Sequence, residues 1–237
     1  SGTASTVLYD TTSGAKTSTI AAGALTVASG STSAINYIVK TSGAGIDTGV
    51  LSVPGSVLLD NTYGGTAGVG GTPTSGFITT ANSGTFAGAS IGVLVNAAIT
   101  AGTGITLKGA SLTGWYSVTL QAAIATSTGS ISITGTGINY AVHSNSAGTI
   151  LASADEVTIT GTATTGQAVQ LAGAITAHTG ITIDANGTTA TTIATVGAMT
   201  LGYGYYSGDI YNPIVISSAT GTSGSLMGSF SGSTLPI

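Results

Sequence analysis

The sequence predicts an all-β protein: a parallel β-solenoid (β-helix) with about 25 residues and three short strands in each coil. Three observations carry this reading. An apolar–hydroxyl–apolar triplet, as in "ITLKG", "ISITG" and "VTITG", returns at an even step along the chain. Inside each triplet the alternation has period two, the strand signature. The composition supports a packed core with almost no ion pairs, because 42% of residues are hydrophobic and only 4% are charged, against ~25% charged in an ordinary soluble domain.

The triplets set the coils. Their first residues are Leu25, Leu51, Phe77, Ile105, Ile131, Val157, Ile181 and Met199, at steps of 26, 26, 28, 26, 26, 24 and 18. Two residues on come Val27, Val53, Thr79, Leu107, Ile133, Ile159, Ile183 and Leu201, of which only Thr79 is not aliphatic. These pairs are expected to form two inward columns. Between them lie Thr26, Ser52, Ile78, Thr106, Ser132, Thr158, Thr182 and Thr200, expected to point outward. Hydroxyls suit that place, since stacked strands bring equivalent side chains within ~4.8 Å, where like charges would repel.

Each coil needs two more strands. One is expected six or seven residues before the triplet, at Ile99, Ile124, Ile150, Ile175 and Ile193. The other falls between triplets, in "YIV" 37–39, "GVLV" 92–95, "YSV" 116–118, "YAV" 140–142 and "AVQL" 168–171. The density of Gly, Ser and Thr disfavours helices. A single coil this rich in small side chains cannot offset the ~1–2 kcal/mol per residue lost in ordering its backbone. Stacking joins the apolar columns into one core, and eight coils give a rod about 40 Å long.

Two stretches leave the pattern. Residues 60–76, "DNTYGGTAGVGGTPTSG", read as a Gly-rich loop or insertion within a solenoid spanning 1–202. Residues 203–237 read as a Tyr-rich terminal region and a non-repetitive tail, acting as cap or subunit contact. The closing steps of 24 and 18 suggest a coil that shrinks toward one end. Beginning at Ser1, the chain reads as a processed product or an excised fragment.

Composition excludes several functions. Net charge is −4, and the cations are Lys16, Lys40 and Lys108, with no arginine; nucleic-acid binding needs a basic footprint. Absent cysteine removes disulfides and thiolate metal sites. No apolar run approaches the ~20 residues of a transmembrane helix.

The columns of "ITLKG", "ISITG", "VTITG" and "ITID", with "AITAHTG" and "AITAGTG" before them, resemble the repeat regions of filamentous-haemagglutinin-like exoproteins and large bacterial surface adhesins. The resemblance is best over residues 92–202 and weaker over 20–60. It implies a right-handed parallel β-helix that is secreted and displayed at the cell surface. The secretion domain of that family carries Asn-Pro-Asn motifs, whereas this chain has Asn212-Pro213-Ile214; a stretch of the shaft fits better.

Chemistry-bearing residues are few. Of the carboxylates Asp10, Asp47, Asp60, Asp155, Glu156, Asp184 and Asp209, only Asp155 and Glu156 adjoin, at a corner where a solvated pair is expected. A polysaccharide lyase or hydrolase needs clustered acids or a bound cation with a base. His143 and His178 lie 35 residues apart, not a whole number of coils, so no shared metal site is expected. "GTAGVGG" at 65–71 has no strand-then-helix context for a phosphate cradle, and the "NGT" sequon at 186–188 is near chance in so threonine-rich a chain. Tyr203, Tyr205, Tyr206 and Tyr211 gather four of nine tyrosines, and are expected to seal the solenoid end or to make a ligand or subunit contact.

The sequence therefore leads to a non-catalytic structural or adhesive element of an extracellular surface or fibre protein. No cofactor, metal or catalytic residue is expected. The expected partners are further copies or neighbouring repeats, and a host-cell or glycan surface. The alternative is a carbohydrate- or ice-binding module on the same scaffold, although Lys108 and Asp184 interrupt the second outward threonine column that ice would want. A polysaccharide-active β-helix enzyme comes third.

Overall fold

The computed structural model describes residues 5–11, 20–22, 25–26, 35–41, 45–62, 91–111, 116–187, 193–196, 199–201, 214–218 and 230–231. Among them every regular element is a strand, and every pairing is parallel between successive coils. Three sheets run along the stack. The first has eight strands: Ser5–Thr11, Ile35–Thr41, Ser56–Asp60, Gly104–Ser111, Ile131–Gly137, Val157–Ala163, Ile181–Gly187 and Ile214–Ser218. The second has seven: Ile20–Ala22, Ile46–Thr48, Ile91–Val95, Tyr116–Leu120, Tyr140–Ser144, Val169–Leu171 and Ile193–Val196. The third has eight: Leu25–Thr26, Leu51–Val53, Ile99–Ala101, Ile124–Thr126, Ile150–Ala152, Ile175–Ala177, Met199–Leu201 and Phe230–Ser231. The chain is a parallel β-solenoid.

The core lies inside the three sheets. Ile105, Ile131, Val157 and Ile181 stack in one register column, and Leu107, Ile133, Ile159 and Ile183 in the next, all at 0–1% exposure. Val93, Val118, Val142 and Val169 close the core from the second sheet. Ile99, Ile124, Ile150 and Ile175 close it from the third. Each such side chain contributes roughly 1.5–3 kcal/mol on burial, shared between neighbouring coils.

The glycine after the triplet has a steric cause. A Cβ on Gly135 would overlap the Ala141 carbonyl oxygen, and one on Gly161 the Ala168 carbonyl oxygen. Here the first sheet passes beneath the start of the second, and backbone meets backbone. Corners are fastened by neutral side chains, both coil to coil and within one corner. Thr128 Oγ1 donates to the Gly102 carbonyl at 2.8 Å, and Thr165 Oγ1 to that of Ile138 at 3.1 Å. Asn145 Oδ1 accepts from the Ala147 and Gly148 N–H groups at 2.9 and 3.0 Å.

The structure corrects the assignment of triplets to faces. Leu25, Leu51 and Met199 lie on the third sheet, whereas Ile105, Ile131, Val157 and Ile181 lie on the first. "YIV" 37–39 belongs to the first sheet and Ile193 to the second. Phe77 lies outside the described residues, and no coil stands at its expected place, because Leu51 pairs directly with Ile99 and Val57 with Ile105. The step of 18 from Ile181 to Met199 is a change of face rather than a shrinking coil, since Met199 pairs with Ile175.

Residues 60–62 belong to the end of a strand and its exit. Asn61, 1% exposed, continues the pairing with its own amide: Nδ2 donates to the Ala110 carbonyl at 3.0 Å, and Oδ1 accepts the Ala110 N–H at 2.7 Å. Asp60 Oδ1 accepts from Thr62 N and Oγ1 at 2.8 and 2.6 Å. The next described strand begins at Ile91. Ile214–Ser218, which show no repeat spacing in the sequence, stack in register on Ile181–Ala185.

Candidate functional site

The outer side of the second sheet gathers the most varied side chains among the described residues. One register column runs Asp47, Leu94, Thr119, His143, Gln170. Beside it runs Ile91, Tyr116, Tyr140, followed by Gln167, whose carbonyl accepts the Ala141 N–H at 3.4 Å. Leu94, Thr119, His143 and Gln170 each follow an inward valine and alternate with it, as strand geometry requires, whereas Ile91, Tyr116 and Tyr140 stand at the strand starts, two residues before the valines. Ile91 and Leu94 are each 1% exposed yet stand outside the main core cluster. Both are buried apart from that cluster.

Coil stacking builds an aromatic ladder beside them. The Tyr116 and Tyr140 rings are stacked with centroids 5.1 Å apart and planes 19° from parallel. His143 tilts against Tyr116 at 4.7 Å and meets Tyr140 edge-on at 6.0 Å. Its Nδ1 is hydrogen-bonded to Thr119 Oγ1 at 2.9 Å. Burial holds the imidazole down at about 4, so it is neutral at neutral pH. Burial raises the Tyr116 phenol, with a smaller push from Tyr140.

Asp47 is 5% exposed. Burial pushes its carboxyl up to about 6, and the Thr48 N–H pulls it partly back. Among the described residues, two buried side-chain oxygens lack a hydrogen-bond partner, Asp47 Oδ1 and Gln167 Oε1, and both belong to this sheet or its border.

The arrangement suits packing better than catalysis. Thr119 with His143 has the composition of a nucleophile and its base, but Thr119 is 0% exposed, so its hydroxyl is not presented to a substrate. The tyrosines turn ring faces toward each other along the stack, so those faces are not offered to a sugar. No group of three or more His, Asp or Glu that could hold a metal exists among the described residues. Asp47 and His143 are separated in their column by Leu94 and Thr119.

Of the residues singled out from sequence, Tyr203, Tyr205, Tyr206 and Tyr211 lie outside the described residues, as does the 65–71 glycine run. The structure keeps the two histidines apart: His143 is on the second sheet, and His178 follows the third-sheet strand Ile175–Ala177, its N–H bonded to the Asp155 carbonyl at 2.9 Å. Asp155 and Glu156 sit at the corner before Val157, Glu156 exposed and Asp155 Oδ1 accepting the Glu156 N–H at 2.9 Å. Asn186 of the sequon is half-buried in a strand, opposite Thr162. Sequence reasoning missed Asp47, Tyr116, Thr119, Tyr140 and Gln167 as a group. The available signal was the tyrosine heading both "YSV" and "YAV" one coil apart.

No helix among the described residues is long and apolar enough to cross a membrane. Comparison with family models, with curated proteins and with solved structures returns no match for the chain.

Proposed function

We propose that the chain is a non-catalytic structural or adhesive segment of an extracellular surface or fibre protein, used as a stiff rod in the manner of the adhesin shafts its repeats resemble. The observation that supports this is axial continuity. The first sheet passes through eight strands in one unbroken order, and its outer columns carry Thr106, Ser132, Thr158 and Thr182 beside Lys108, Thr134, Thr160 and Asp184. Such a surface resists bending and presents hydroxyls, but assembles no acid, base and cation cluster of the kind polysaccharide cleavage requires.

Ice binding is disfavoured by the same columns. Ser132, Thr134 and Thr136 with Thr158, Thr160 and Thr162 make a hydroxyl grid only two coils deep, bounded by Lys108 and Asp184. The test is twofold. Beads coated with the chain are expected to be retained on glycan- or cell-coated surfaces, and incubation with neutral and acidic polysaccharides is expected to release no reducing ends or unsaturated sugars. Sugar release would overturn the non-catalytic reading. Retention no better than that of uncoated beads would overturn the adhesive part, leaving only a spacer.

A further inference from the structure

We infer that the outermost described strands of the first sheet are complementary and that copies of this chain stack head to tail, Ile214–Ser218 of one against Ser5–Thr11 of the next. The inference deepens the rod reading and rests on it for its biological use. Its physical basis is the register alone.

Among the described residues each sheet is bounded by one strand at either end of the stack. Ser5–Thr11 and Ile214–Ser218 bound the first sheet, Ile20–Ala22 and Ile193–Val196 the second, and Leu25–Thr26 and Phe230–Ser231 the third. An open parallel edge presents unpaired N–H and C=O groups and is a template for a further strand. Natural edges are commonly blunted by proline, charge or a bulge. Here the first-sheet edge strands hold one charged residue between them, Asp10, and no proline.

The residues at each edge fit the columns they would extend. One register column of the first sheet reads Val7, Tyr37, Val57, Ile105, Ile131, Val157, Ile181, Ile214, and its members from Tyr37 to Ile181 are buried. Stacking head to tail would set Ile214 beside Val7 and Ile216 beside Tyr9. The third-sheet column would continue from Phe230 to Leu25, and the second from Ile193 to Ile20.

The adjoining register column is more telling. It reads Leu8, Ile38, Leu58, then Thr106, Ser132, Thr158, Thr182, then Val215. Hydroxyls fill the middle, and apolar residues occupy both ends. Head-to-tail contact joins those ends into one apolar run, Val215–Leu8–Ile38–Leu58, across the junction. In the neighbouring column Ser217 would stand between Asp184 of its own chain and Asp10 of the next, so no two like charges adjoin. The contact joins two different surfaces, and a heterologous contact that does not close propagates as a filament.

The chain has no cysteine, which gives a clean test. Register neighbours ~4.8 Å apart are within disulfide reach. Under mild oxidation an equimolar mixture of Leu8→Cys and Val215→Cys chains is expected to give a disulfide-linked species of twice the chain mass. Either variant alone is expected to give none. Asp10→Cys mixed with Ser217→Cys repeats the test one column over, should the first pair disturb folding. Light scattering of the unaltered chain is expected to show mass rising with concentration. Cross-linking by a single variant with itself, cross-linking by neither mixture, or a constant monomer mass would each overturn the inference. The assay makes no reference to adhesion or catalysis, so its failure and failure of the rod reading are separate results.

Discussion

Gly135 shows how tightly one position is held. Its missing Cβ leaves room for the Ala141 carbonyl, and the two nearest obstructing atoms are backbone, unable to rotate away, with Val142 Cγ2 next at 3.0 Å. Gly135→Ala is expected to lower stability by about 1–3 kcal/mol through overpacking. Gly104→Ala is the control, because a Cβ there meets only the Ser130 carbonyl oxygen at 3.4 Å. Urea midpoints should separate the two, and equal midpoints would disprove the close approach. Ala185 occupies the equivalent place one coil beyond Gly161, fully buried, so the constraint eases toward that end. The inward and outward positions can be tested in the same way. Ile133 is 0% exposed, and Ile133→Asp would bury an unpaired carboxylate at a cost of several kcal/mol, on the order of 2–7. Thr134→Asp, half-buried and outward, should change the melting temperature far less. Equal losses in circular-dichroism melts would mean the register is wrong.

Along a whole face, the few charges are placed by sign. Asp10, Lys40, Asp60 and Lys108 stand in one first-sheet column on four consecutive strands, alternating negative and positive. Opposite charges on neighbouring strands contribute roughly 0.2–1 kcal/mol, and like charges cost as much. Lys40→Glu would set three acids in a row and should lower stability by about 1–2 kcal/mol, an effect that salt would weaken. Thr134→Asp would extend the alternation beside Lys108, whereas Thr160→Asp would place a second acid beside Asp184. The second should be the less stable at low salt, and the reverse order would refute the ladder. This column was hidden in the sequence, as was the face of each triplet. "LSV" at 51–53 and "ISI" at 131–133 look alike because the first and third sheets each set two inward apolar residues around one outward hydroxyl. The stretch between Thr62 and Ile91 is close to a coil in length, so an even step carried across it and concealed the change of face. The period, the strand type and the inward pairs from Ile105 to Ile183 were legible because periodicity alone encodes them. The ladder of Tyr116, Tyr140 and His143 was not, since it depends on which strands become neighbours.

For the molecule as a whole, the two strongly shifted groups of the second sheet oppose each other. Asp47 is raised from 3.8 to about 6, so the fold prefers its protonated form. Its contribution is fully present below pH 3.8 and is lost as pH rises through 6. His143 is lowered from 6.5 to about 4, so the fold prefers the neutral ring. Its contribution is fully present above pH 6.5 and is lost as pH falls through 4. At ~1.4 kcal/mol per unit each amounts to roughly 3 kcal/mol over nearly the same interval. On acidification Asp47 adds stability while His143 removes it, and between pH 6.5 and 4 the two contributions nearly cancel. The unaltered chain is expected to show a nearly flat profile of urea midpoint across that interval. Asp47→Asn removes one arm: the variant should be more stable than the parent at pH 8 and should lose stability steeply as pH falls from 6.5 to 4. His143→Gln removes the other, and its stability should rise over the same fall in pH. Because the groups are separated by Leu94 and Thr119 in their column, the double variant should return to a flat profile, as independent sites add. A parent profile as steep as that of Asp47→Asn, or single variants that slope in the same direction, would show that these two buried groups do not set the acid response of the solenoid.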